Sequence, residues 1–86
     1  MHEASLTRAL VNRILAVAAE QRAARVVGIK VRLGALSHMS PPHFREHFDV
    51  AAAGTIAEGA RIEAVQETDP GSPSAADVVL ESVEVE

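Results

Sequence analysis

The hydrophobic period of this chain changes abruptly near residue 25, and that change limits what it can build. Leu6, Leu10, Ile14 and Val17 recur four and three residues apart, and Val11, Leu15 and Ala18 widen the stripe. This is the spacing of an α-helix with one buried face. Val27, Ile29, Val31 and Leu33 then alternate with Gly28, Lys30 and Arg32, the two-residue period of a half-buried strand. A helix and a strand that each bury one side must cover each other, so the chain has to form layers.

The first helix is predicted over residues 4–24, which are rich in alanine and hold no Gly or Pro. Glu3 stands at its entry, where the positive helix end favours an acid. The first strand is predicted over 26–36, with Gly34 marking a bulge or bend. Ser40-Pro41-Pro42 reads as a helix start: a capping hydroxyl, then prolines where the first turn has no use for an N–H. A second helix follows over about 42–53, with Phe44 and Phe48 as core contacts and Gly54 as its stop. A second strand covers 60–67, where Ile62 and Ala64 alternate with Arg61 and Glu63. Asp69-Pro70-Gly71-Ser72-Pro73-Ser74 is turn chemistry. A third strand runs from 77 to 86, and its apolar parity changes between Val78/Leu80 and Val83/Val85. A bulge near Glu81-Ser82 reconciles the two halves; the alternative is an outer half seated on a subunit contact.

The order α-β-α-β-β predicts an α/β (α+β) fold, two helices packed on one face of a three-stranded sheet, in a single domain over residues 1–86. The short link between the second and third strands predicts that they are antiparallel neighbours. Only two aromatic residues are present, both Phe, so the core must come from Val, Ile, Leu and Ala.

Composition removes several functions. A net charge of −4 with no Tyr or Trp argues against a nucleic-acid partner, which needs a basic face and stacking platforms. Arg8, Arg13, Arg22 and Arg25 read as a solvated helix face. Without cysteine there is no disulfide, zinc–thiolate site or thiol catalysis. The start lacks the basic and apolar regions of a signal peptide, and no apolar run is long enough for a membrane span. A soluble cytoplasmic protein is expected. No nucleophile elbow, phosphate loop or dinucleotide fingerprint appears. A Ser or Thr nucleophile served by His2, His38, His43 or His47 would be an ordinary coincidence of composition, so no enzyme is expected.

Histidine carries the chemistry that remains. The α-amine of a chain ionises near pH 8 (about), so a metal can displace its proton at modest cost. The amine of Met1, the amide nitrogen of His2 and the His2 imidazole can close consecutive chelate rings around one ion. Such nitrogen-rich planar donation suits Ni(II) or Cu(II). The next backbone nitrogen or the Glu3 carboxylate can complete the plane. The bland alternative is a frayed terminal residue. His43 and His47, at i and i+4, share one face of the second helix. They read either as ordinary surface histidines or as a secondary chelating pair, with His38, Glu46 and Asp49 nearby in sequence. Glu81, Glu84 and Glu86 read as a solvated edge that resists strand pairing.

Several segments together resemble the HypA/HybF family. Met1-His2-Glu3 leads straight into an amphipathic helix, as in that family. Val31-Arg32-Leu33-Gly34-Ala35-Leu36-Ser37 is similar to its strand and G-x-L-S segment. Phe44 and Phe48-Asp49 fall at its aromatic and acidic helix positions. Gly54-Thr55-Ile56-Ala57-Glu58-Gly59-Ala60 resembles its GT…EGA element, and 80–86 its last strand. The resemblance implies a nickel metallochaperone that serves maturation of [NiFe]-hydrogenase or urease, working with a partner GTPase and the nickel-enzyme precursor. It implies nickel ligands at the Met1 amine and His2, with Glu3 tuning the site. The family carries a zinc-binding insertion with two Cys-x-x-Cys pairs between its second and third strands. Here that place holds the short loop 68–77 without cysteine, so no structural zinc is expected. The alternative expectation is a metal-independent assembly module, and the apolar last strand offers an edge for a homodimer.

Overall fold

The computed structural model describes the backbone of residues 2–86 and the side chains of residues 4–86. Its elements are α1 (His2–Glu20), β1 (Val26–Leu33), α2 (Pro41–Ala52), β2 (Arg61–Gln66) and β3 (Val78–Val85). They form the two layers that the sequence implies: both helices lie on one face of a three-stranded sheet, α1 against β3 and α2 against β2.

The helix stripe becomes the buried face of α1. Thr7, Leu10, Val11, Ile14 and Ala18 are buried, while Leu6 remains 44% exposed. The helix stops four residues before its predicted end. Arg22 adopts a left-handed backbone (φ 53), the Ala23 N–H reaches the Ala18 carbonyl, and the Arg22 N–H reaches that of Ala19. These two bonds make a Schellman stop, which normally uses glycine. Helix α2 starts as expected. Ser40 is extended and its hydroxyl accepts from the His43 N–H at 3.3 Å. Phe44 and Phe48 are fully buried beneath it, each contributing roughly 1.5–3 kcal/mol relative to exposure.

The strand order is β2-β1-β3, with β1–β2 parallel and β1–β3 antiparallel. The expectation that β2 and β3 are neighbours is therefore overturned. Strand β1 is the most buried of the three and takes the centre, where both edges are paired. The crossover through α2 returns β2 parallel to β1 on one side. The connection 67–77 then passes over the end of β1 to the other side. It is pinned there by bonds from the Glu67 N–H to the Leu33 carbonyl, the Gly34 N–H to Asp77 and the Leu36 N–H to Ala75. This explains Gly34, which is neither a bulge nor a bend. A Cβ at that position would lie 2.1 Å from the Ala75 carbonyl oxygen, so only glycine lets the connection pass so close.

Two register shifts adjust the sheet. One, between Val26 and Gly28, skips Val27. It turns Val26 into the core in place of Val27, which the alternation had assigned to the buried face. The other skips Glu81, since Lys30 pairs with Ser82 and Val31 with Leu80. This is the bulge that the parity change in β3 requires. Val78, Leu80, Val83 and Val85 all pack against the core as a result.

The sheet's other face is charged. Lys30 faces Glu63 at 3.7 Å, and Arg32 lies 3.8 Å from Glu67 and 3.6 Å from Glu81. Arg61 on β2 reaches Glu84 on β3 across Gly28, whose missing side chain leaves the path open.

Candidate metal centre

Of the terminal candidates, Met1 and the side chains of His2 and Glu3 lie outside the described residues. The backbone that carries them is defined from His2, where α1 begins. The helix is held to the core first through Thr7, while Ala4, Ser5 and Leu6 are exposed. Residues 4–6 of α1 thus stand at the surface. The first N–H groups of any helix lack an intrahelical carbonyl, so the amides of His2 and Glu3 are not committed to the helical ladder.

The second pair is fully described. His43 occupies the third helical position after the Ser40 cap, and His47 follows one turn later. Their neighbours Phe44 and Phe48 are clamped in the core, which fixes the backbone from which both imidazoles project. The Nε2 atoms stand 3.0 Å apart, one ring donating to the other, with ring centroids at 4.8 Å and planes inclined by 42°. Both residues are half-buried.

The residues suggested as further ligands do not join them. Asp49 pairs with Arg45 at 3.5 Å. His38 is exposed in the loop before the cap, with φ 58. Among the described residues, no group of three or more His, Cys, Asp or Glu is gathered in one place. An open hollow of about 450 Å³ beside α2 is lined by Pro41, Pro42, Arg45, Ile62 and Ala64. It brings no nucleophile to a base. Among the described residues, no helix is long and apolar enough to cross a membrane.

Comparison with known proteins decides the family. The family described as hydrogenase/urease nickel incorporation, metallochaperone, hypA matches residues 1–71. The hydrogenase maturation factor HypA of Archaeoglobus fulgidus is 41% identical over 63 residues, covering 73% of this chain and 57% of the relative. That of Methylocella silvestris is 44% identical over 63 residues, covering 73% and 56%. The Thermococcus kodakarensis protein is 40% identical over 67 residues, covering 78% and 48%. The chain belongs to the HypA family. It spans about half the length of the curated relatives it matches.

Family motifs now have structural reasons. The GT…EGA stretch is the link from α2 to β2. Gly54 and Gly59 take left-handed backbones (φ 79 and 78). The Thr55 hydroxyl donates to the Ala52 carbonyl at 2.7 Å and accepts from the Ala57 N–H at 3.1 Å. Ala57 and Ala60 are buried, and the Ile56 carbonyl accepts from the Val26 N–H where β1 starts. The strand-plus-glycine segment places Gly34 beneath the connection, and the Ser37 hydroxyl donates back to the Gly34 carbonyl at 2.7 Å. The family match ends at Gly71, inside that connection.

Proposed function

We propose that this HypA-family chain binds Ni(II) as cargo at its N-terminus and helps to insert it during maturation of a nickel enzyme such as [NiFe]-hydrogenase or urease. The observation that carries the proposal is the family match, which begins at residue 1 and so takes in Met1-His2-Glu3. The donors are the Met1 amine, the His2 amide nitrogen and imidazole, and either the Glu3 amide or its carboxylate. Consecutive nitrogen donors of this kind favour planar coordination of Ni(II). The start of α1 at His2 supports the reading, because the amides concerned have no helical acceptor to give up.

In this reading the chain is a metallochaperone rather than an enzyme. Its partners are the precursor of the nickel enzyme and a maturation GTPase, and it works in the cytoplasm. On the same reading, residues 68–77 take the place of the family's zinc-binding insertion. With no cysteine in the chain, that segment contributes no zinc-linked coupling to delivery.

Nickel titration of protein with a native terminus tests the proposal. An absorption band of planar Ni(II) should develop at one equivalent, disappear in His2→Ala, and disappear when an N-terminal extension blocks the amine. A band unchanged in both proteins would falsify terminal coordination. A second reading, a metal-independent assembly module, takes its support from the cysteine-free connection. It is favoured if the chain supports maturation of its client equally well with alanine at position 2.

A further inference from the structure

We propose that α2 carries a second metal site, formed by His43 and His47, for a single borderline divalent ion such as Ni(II), Cu(II) or Zn(II). The site is independent of the chain terminus. Its basis is the distance between the two Nε2 atoms, 3.0 Å. An imidazole nitrogen binds a first-row ion at about 2.0–2.1 Å. Two such bonds at a right angle put the nitrogens about 2.8–3.0 Å apart, which is the separation already present. An ion at that right-angle vertex lies about 45° off the line between the nitrogens, and rotation of the rings turns both lone pairs towards it. A tetrahedral angle needs a separation of about 3.3–3.4 Å, so the pair suits adjacent positions of a planar or octahedral ion with the least movement.

The ligands are held in place before any metal arrives. His43 is fixed by the Ser40 cap, and both histidines adjoin phenylalanines that are fully buried. The rings already share a hydrogen bond; on metal binding the donor ring shifts its proton from Nε2 to Nδ1 by exchange with water, and both neutral imidazoles bind through Nε2. Hard oxygen-seeking cations are excluded by the donors: among the described residues, no carboxylate group joins the pair. Two protein ligands leave the remaining positions of the ion to water or to an incoming ligand. Such a site binds reversibly and exchanges its ion, as a transfer point requires, and does not lock the metal away.

The test uses this chain with its terminal amine acetylated, which removes the terminal site without touching α2. Ni(II), Cu(II) and Zn(II) are titrated separately by calorimetry into this protein and into its H43Q/H47Q form. The folded state of each is checked by circular dichroism. The acetylated protein should bind one equivalent, tightest for Cu(II). The double variant should lose that site, and His47→Gln alone should weaken it at least tenfold because chelation is lost. Equal binding by the acetylated protein and its double variant, or no binding by either, overturns the proposal. The terminal site is read separately, from the planar nickel band of the unmodified H43Q/H47Q protein, so each site can fail without the other.

Discussion

Arg22 holds a conformation that favours a different residue. Its left-handed φ of 53 costs an L-residue with a Cβ roughly 1–2 kcal/mol, against a smaller entropic penalty for glycine. It is tolerated because the Schellman bonds to Ala18 and Ala19 end α1 and Ala23 packs against the core just beyond. Replacing Arg22 by Gly should therefore stabilise the fold by about 0.5–1 kcal/mol. The denaturation midpoint should rise with no change in slope; a lowered midpoint would show that the arginine side chain outweighs its backbone. The same residue explains why the helix reads too long in the sequence. A helix stop is legible when glycine supplies it, as Gly54 does just after α2, and illegible when arginine does. Gly34 is the intermediate case. The sequence marks it as special, but the reason is a carbonyl from Ala75, more than forty positions away, which no local pattern contains.

Strand β3 shows what a period can and cannot reveal. The parity change between Leu80 and Val83 is visible in the sequence and requires the extra residue that the register shift supplies at Glu81. The neighbour of β3 was not legible, because it depends on where the α2 crossover delivers β2. Deleting Glu81 should remove the bulge and turn either Val78 and Leu80 or Val83 and Val85 away from the helices. The expected loss is about 2–4 kcal/mol, since full burial of each such side chain contributes roughly 1.5–3 kcal/mol and these are only partly buried. Glu81→Ala keeps the bulge and removes one exposed partner of Arg32 at 3.6 Å, a change of at most about 1 kcal/mol. Urea unfolding of the two variants separates the roles. Comparable losses in both would mean that the charge, not the extra residue, matters.

At the scale of the whole molecule the two proposed metal sites differ in what folding does for them. The proposed terminal site can be read from the sequence alone because it is local: its donors are neighbours along the chain and exist in the unfolded state as well. The α2 site was legible only as a spacing, because its 3.0 Å separation requires the helix, its cap and the buried phenylalanines. A ligand stabilises a protein only by preferring the folded state, by about 2.7 kcal/mol at a hundredfold excess over its dissociation constant. If nickel is held by these terminal donors it should bind folded and unfolded chains alike and barely move the melting temperature. Nickel on His43 and His47 should move it fully. One kcal/mol shifts the midpoint of a domain this size by about 4–8 °C, so saturation of the α2 site should raise it by roughly 10–20 °C. Acetylated wild type should show this rise. Unmodified H43Q/H47Q should develop the planar nickel band with a rise of no more than about 2 °C. Equal rises in the two proteins would mean that the terminal chelate depends on the fold after all. The first turn of α1 would then be part of the nickel site rather than the platform that carries it.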